Sequence, residues 1–384
     1  MIEINIINKG SLSIKTWATK IENGAMEQAI NLAKLPFAFR HIALMADVHE
    51  GYGMPIGGVL ATEGVIIPNA VGVDIGCGVI ALKTDVKKVT EGQIKEVLGK
   101  IRGVIPVGFK HHQKPQEWKG FDQAPKIKII QQELASAQCQ LGTLGGGNHF
   151  IELQKGNDGH IWLMIHSGSR NIGLKVAKHY NQLAKKMNQK AIIQVPKEHD
   201  LAYLPLDSME GEEYLAAMNF CLEFAKANRE MMAEKLYRAF AGVTASAKIL
   251  ETIHIHHNYA AKEIHFNREV IVHRKGAISA QQGQLGIIPG SMGTPSYITE
   301  GLGNPESFMS CSHGAGRTMS RKKANQTINE ETANQSMAGI VFGNWHGDYS
   351  ECPLAYKNIQ EVMNNQLDLV KPLVELSPLG VMKG

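Results

Sequence analysis

The sequence predicts a mixed α/β fold, and three observations lead there. Short runs rich in Val and Ile, such as 42–45, 59–82 and 162–165, read as strands. Long stretches with apolar residues at helical spacing, 173–190 and 211–241, read as helices. Glycine, 39 of 384 residues, is not scattered but gathers at 51–58, 72–78, 142–147, 283–293 and 314–316. Clustered glycine in a globular chain marks turns where backbone comes close to a ligand.

Taken in order, residues 2–7 alternate apolar and polar and predict an opening strand. Residues 25–35 have helical spacing and stop at Pro36. The apolar run 42–45 is a short strand, and 47–53 (Asp-Val-His-Glu-Gly-Tyr-Gly) is a polar loop after it, where α/β proteins place ligands. Strands with tight turns fill 59–82, and a helix follows over 92–102. The basic, aromatic segment 108–128, interrupted by Pro115 and Pro125, reads as a long surface loop. It is either a solvated loop or a contact for a nucleic-acid strand, with lysines on phosphates and aromatics on bases. A helix over 127–138, a strand over 162–165 and the two long helices come next. Strands follow over 249–258 and 269–274, a weaker one over 336–343, and a helix over 355–370 that ends before Pro372. No linker, repeat or low-complexity tract divides the chain, so residues 1–384 are expected to form one domain.

Composition narrows the class. Hydrophobic residues make up 43% and charged residues 20%, which fits a water-soluble globular protein, and the net charge of +4 neither requires nor excludes nucleic acid. Five cysteines (77, 139, 221, 311, 352) occur with no CxxC pair and no secretory leader, so free thiols in a reducing, cytoplasmic compartment are expected. No apolar run of about 18 residues predicts a membrane span.

The chemistry-bearing residues sit in the glycine clusters. Val71–Gly78 (VGVDIGCG) sets Asp74 three residues before Cys77, a hard oxygen beside a soft thiolate. Further on, His149 and Glu152 follow a triple glycine, His166 opens His-Ser-Gly-Ser-Arg, and 254–257 reads His-Ile-His-His. On a strand, His254 and His256 face one side and His257 the other. Asp74, Cys77, His149, His166 and His257 form a ligand set for one metal or, with the thiolate shared, for two. Ligand softness favours zinc, and the carboxylate leaves manganese or iron open. Two more loops, 288–296 (IPGSMGTPS) and 311–317 (CSHGAGR), offer backbone amides, hydroxyls, an Arg and His313, a combination suited to phosphate and to attack on phosphorus. The Walker A, GxGxxG and KxDG patterns are all absent.

Together these motifs resemble the RtcB family of RNA ligases: VGVDIGCG (71–78), LGGGNHFIE (144–152), HSGSR (166–170), HHNYA (256–260), RKGAIS (274–279), GIIPGSMG (286–293), SCSHGAGR (310–317), AYKN (355–358) and the final KG, in the family's order. The resemblance implies the RtcB-type fold, with sheets and helices around a di-metal cleft. It also implies joining of an RNA 3′-phosphate or 2′,3′-cyclic phosphate end to a 5′-hydroxyl end, with GTP and two Mn²⁺. It makes His313 the nucleophile toward the α-phosphorus of GTP, and Cys77 the bridge between one metal held with His166 and His257 and another held with Asp74 and His149. The manganese of the family replaces the zinc that softness alone favours.

For the nucleotide the resemblance implies Asn148, His149, Phe150, Ile151, Glu152, His257, Asn258, Pro289, Gly290, Ser291, Met292, Ser296, His313, Gly314, Ala315, Gly316, Tyr356 and Lys383, with Glu152 and Lys383 reading the guanine edge. Asp47, His49, Arg170, Arg274 and Lys275 are expected toward the RNA ends. The partners implied are broken RNA, such as tRNA, and an archease-like activator. Ala46 departs from the family's Pro before Asp-Val-His, and the segments 78–141 and 190–248 are compact beside longer relatives.

Overall fold

The computed structural model describes residues 5–384 except Lys9 and Ser246. Two large sheets organise it. The six-stranded sheet runs Asn5–Ile7, Ser13–Thr16, Ala38–Tyr52, Met54–Thr62, Arg268–Lys275, Asn258–His265. The seven-stranded sheet runs Ile249–His256, Gly78–Thr84, Ile161–Ser167, Phe150–Gly156, Val370–Lys383, Ser296–Gly301, Leu285–Ile288. Neighbours are antiparallel except Ser13–Thr16 beside Ala38–Tyr52.

Strand periodicity explains how the sheets stack. Ala43, Met45, Val59 and Ala61 of one sheet share a core with Val79, Ala81, Trp162 and Met164 of the other. The alternate residues face outward. Ile42, Leu44 and Leu60 pack on the helix Asn23–Ala33. Ile80, Leu82, Leu163 and Ile165 pack on the helices Glu91–Val104 and Met209–Thr244. The layers are therefore helix, sheet, sheet, helix, and strands covered on both faces read as continuous apolar runs. Helix starts are capped as the sequence allows: Thr90 and Gln93 form a capping box, and Ser208 Oγ accepts from the amide of Gly211.

Several expectations change. The strand over 2–7 is seen from Asn5, and residues 2–4 lie outside the described residues. The polar loop 47–53 is instead the far end of the strand Ala38–Tyr52, which turns at Gly53 straight into Met54–Thr62. The region 59–82 also holds a four-residue helix, Pro68–Val71, between its strands. Residues 336–343 form no strand: 336–339 are a turn, and Val341 alone bridges to Gly380. The helix over 355–370 shrinks to Ile359–Asn364, capped by Asn358. Its C-terminal part gives way to the strand Val370–Lys383, which is stabilised by pairing on both sides. Pro372 and Pro378 in that strand sit at register shifts, where a missing N–H is tolerated. In the 108–128 segment, Trp118 and Phe121 pack against Phe220 and Phe224, so these aromatics belong to the core rather than to a strand-binding face.

Candidate metal centre and nucleotide pocket

Four neighbouring strands of the larger sheet deliver the donor atoms. Because they alternate in direction, one end of the sheet collects the start of Gly78–Thr84, the end of Ile161–Ser167, the start of Phe150–Gly156 and the end of Ile249–His256. Cys77, His166, His149 and His257 occupy those positions. The turn before Cys77 closes with its amide donating to the Asp74 carbonyl at 3.1 Å, and the Cys77 carbonyl accepts from the His257 amide at 2.9 Å. Gly76 has φ +74, and a Cβ there would press on Ala225 and the Cys221 carbonyl. A Cβ at Gly78 would run into the Ile255 carbonyl oxygen.

The five expected donor atoms form a chain with sulfur at its middle. Cys77 Sγ lies 3.4 Å from His149 Nε2 and 3.2 Å from His166 Nε2. Beyond these, His149 Nε2 is 3.2 Å from Asp74 Oδ2, and His166 Nε2 is 3.4 Å from His257 Nε2. The sulfur and the Nε2 atoms of His149 and His166 all lie within 4.8 Å of one another.

The surroundings fit a cation. His149 and His166 each turn Nδ1 to a carbonyl, of Leu144 at 3.0 Å and Asn148 at 3.1 Å, which leaves the Nε2 lone pairs converging on the sulfur. Burial, with the neighbouring imidazoles and cations, lowers the His166 and His257 pKa values well below the usual range, so both are neutral donors at neutral pH. Burial works to raise the Asp74 pKa, but His149, Arg170 and Cys77 outweigh it and hold it at about 2. Burial and Asp74 push the Cys77 thiol far up. A bound cation is what would make it a thiolate.

Behind the ligands stands a residue that sequence reasoning missed. Arg229, on the helix Met209–Thr244, is fully buried. Its Nη1 donates to the carbonyls of Gly76 at 2.9 Å and Ser167 at 2.5 Å, beside Cys77 and His166. Its Nε donates to His254 Nε2 and its Nη2 contacts His256 Nδ1, each at 3.0 Å, so these two histidines face away from the ligand set, as the strand alternation requires.

On the other side is His313. Its Nδ1 lies 2.7 Å from Oδ2 of Asp47, and the same oxygen accepts from the amides of His313 and Gly314. Its ring is 4.8 Å from that of His257. Asp47 is thus buried beneath the 312–316 loop rather than turned toward an RNA end. Burial works to raise its pKa, but the charge and hydrogen bond of His313 hold it below the ordinary value. His49 lines the clefts above it, with Nδ1 2.9 Å from the Asp47 carbonyl.

A cavity of about 510 Å³ adjoins His313. Of the expected nucleotide contacts, Asn148, Phe150, Glu152, His257, Pro289 to Met292, His313 to Gly316, Tyr356 and Lys383 line it. Four others lie elsewhere. Ile151 points into the helix-facing core, and His149 faces the metal set and a separate cavity. Asn258 hydrogen-bonds the Asp74 carbonyl and the Gly276 amide, and Ser296 Oγ accepts from the Gly290 amide and so shapes that loop from behind. Burial raises the Glu152 pKa to about 8 against the opposing pull of Lys383 and Gln154.

Glu351, which no motif marks, gathers Arg317, Arg321 and Tyr356 at the wall of this cavity, with Lys383 Nζ at 3.9 Å. Among the residues expected toward RNA, Arg274 is fully buried on Glu263, Ser310 and the Phe308 carbonyl. It is a core ion pair and presents nothing to phosphate. Lys275 lines the adjoining cleft, with Nζ on the carbonyls of Tyr52 and Asn69. Arg170 Nη1 lies 3.2 Å from His149 Nδ1.

Fold and site together define an α/β protein with a candidate metal-binding cluster, the buried Cys77 thiol and the His149 and His166 imidazoles with the part-exposed Asp74 carboxylate beside them, at the mouth of a polar cavity. The chain belongs to the RtcB family: the family model described as tRNA-splicing ligase RtcB matches residues 28–135 and 116–384. It is 40% identical over 400 residues to the RNA-splicing ligase RtcB of Escherichia coli K12, covering 97% of each chain. It is 30% identical over 442 residues to the tRNA-splicing ligase RtcB of Thermococcus kodakarensis, covering 94% of this chain and 92% of that one. Among the described residues no helix is long and apolar enough to cross a membrane.

Proposed function

We propose that this RNA ligase joins RNA 3′-phosphate or 2′,3′-cyclic phosphate ends to 5′-hydroxyl ends through a GMP-linked His313, in tRNA splicing or RNA repair. The observation that carries the reading is the contact of His313 with Asp47, at the edge of a cavity shared with His166 and His257. With Nδ1 held on the carboxylate, Nε2 is the ring nitrogen left to attack phosphorus.

His313 Nε2 attacks the α-phosphorus of GTP; an N–P bond forms, and the bond to the β-phosphate oxygen breaks with release of pyrophosphate. An RNA 3′-phosphate oxygen then takes the GMP and frees His313. The 5′-hydroxyl of the second strand attacks the RNA phosphorus and GMP leaves. A cyclic phosphate is opened by water first. Glu152 and Lys383 read the guanine edge, a carboxylate for its N–H groups and an ammonium for its oxygen. The amides of Ala315, Gly316 and Met292 receive phosphate oxygens, since those of Gly314, Gly290 and Ser291 are held by Asp47, Ser296 and Thr294.

Asp74, Cys77 and His149 would hold one divalent ion and Cys77, His166 and His257 the other, with Mn²⁺ as the family's metal. When bound, the ions neutralise charge on the phosphates and align them for in-line displacement. The test is incubation of paired 3′-phosphate and 5′-hydroxyl oligonucleotides with Mn²⁺, with and without GTP. Sealing only with GTP is expected. Opening of cyclic phosphates without sealing would instead identify a phosphoesterase.

A further inference from the structure

Three cavities, rather than one, meet at the metal-binding cluster. The pocket of about 510 Å³ holds the expected nucleotide contacts. A second, of about 900 Å³, is lined by His313, His257 and Cys77. A third, of about 600 Å³, is lined by Asp74 and His149 together with Phe109, Lys110, His111 and Arg170. Val73 and Asp74 line both the second and the third and form the ridge between them. His313 lines the first two and not the third. A strand that must take GMP from His313 therefore belongs in the second cavity. A strand whose end need only reach a phosphate at the ridge has the third.

We propose that the third cavity is the subsite for the 5′-hydroxyl RNA strand, with the Phe109 ring as the platform for a base near its 5′ end and Lys110 as a phosphate contact. This rests on the ligase reading above. Phe109 is fully exposed, whereas Trp118 and Phe121 of the same segment are packed into the core. The exposed ring is not on a loose tip: the Gly108 amide donates to the Gly145 carbonyl at 2.8 Å, and the Lys110 amide closes a turn onto the Val107 carbonyl at 3.1 Å. The loop is thus pinned to the triple-glycine segment that leads into His149.

Charge agrees with this occupant. Asp74, a proposed metal ligand, is the one carboxylate lining the third cavity; Lys110 has no ion-pair partner among the described residues, whereas Arg170 sets its charge near Asp74 and lies against His149. The second cavity carries Glu22 and Glu50 with Lys275, Arg317, Arg321 and Lys323, so both cavities offer cations to a phosphate chain, and it is the exposed ring of Phe109 that sets the third apart. An exposed aromatic ring beside an unpaired lysine is what an unpaired nucleic-acid strand uses, a base on the ring and a phosphate on the ammonium.

The experiment separates two half-reactions. In the first, GMP is transferred to a 3′-phosphate oligonucleotide with no acceptor strand present. In the second, that activated strand is sealed to a titrated 5′-hydroxyl oligonucleotide. Phe109→Ala is expected to raise the KM for the 5′-hydroxyl strand about tenfold, the effect of losing one stacked base. Lys110→Ala should raise it less, and GMP transfer in the first half-reaction should keep its wild-type rate in both variants. Phe109→Trp should restore the KM, and its fluorescence should change on titration with the 5′-hydroxyl oligonucleotide without GTP. An unchanged KM in Phe109→Ala, or an equal loss in both half-reactions, overturns the proposal. Failure of the wild type to transfer GMP at all overturns the ligase reading and this subsite with it.

Discussion

Oδ2 of Asp47 lies 2.7 Å from Nδ1 of His313, on a carboxylate with no exposed surface that also accepts from two amides of the His313 loop. Such a contact fixes both the tautomer and the aim of the imidazole. Asp47→Asn is therefore expected to slow covalent GMP labelling by a factor on the order of 10³. Rapid-quench labelling checks this, and a wild-type rate would mean that Asp47 only holds the loop.

Cys77 is the middle atom of the ligand chain, so its loss should affect both ions. Cys77→Ala is expected to retain less than half of the wild-type manganese after dialysis, measured by elemental analysis. Asp74→Ala should lose about one ion of two. Full metal content in Cys77→Ala would contradict a shared thiolate.

Arg229 joins the longest helix to the backbone on either side of two ligands. Arg229→Met leaves the Gly76 and Ser167 carbonyls without that donor, a loss on the order of 3 kcal/mol. Urea unfolding of the metal-free protein reads it, with Arg229→Lys expected between the two. Wild-type stability in Arg229→Met would show that the carbonyls find other partners.

Glu152 gives the nucleotide step a pH dependence. Burial raises its pKa from an ordinary 4.5 to about 8. The folded chain therefore keeps a proton that the unfolded chain has lost across that window, and the group's contribution to stability falls as pH rises through it. In the guanine contact proposed above Glu152 acts as a carboxylate, so GMP affinity should rise between pH 6 and 8. Glu152→Gln should flatten that rise. A parallel slope in the variant, measured by calorimetry, would assign the titration elsewhere.

Much of the site was legible because its ligands are local signals: a Cys, an Asp or a His beside glycines at a strand end. What sequence could not show was direction. Arg274 and Arg170 look alike as basic residues after strands, yet Glu263 draws the first into the core and the second lies against His149. Arg229 reads as one more residue on an amphipathic helix, and Glu351 lies in no motif. Their roles come from contacts distant in the chain, 34 residues from Glu351 to Arg317 and 153 from Arg229 to Gly76. The strand Val370–Lys383 was hidden by two prolines whose cost falls at bulges, and a helical pattern over 355–370 ran across its start.

The central claim is that His313 carries GMP. The direct measurement is incubation of the metal-loaded protein with α-labelled GTP, followed by denaturation and peptide mapping. Label on the peptide containing His313, lost in acid and absent from His313→Ala, is the expected result. A wild-type protein that seals RNA without taking label, or label that persists in His313→Ala, would contradict the account.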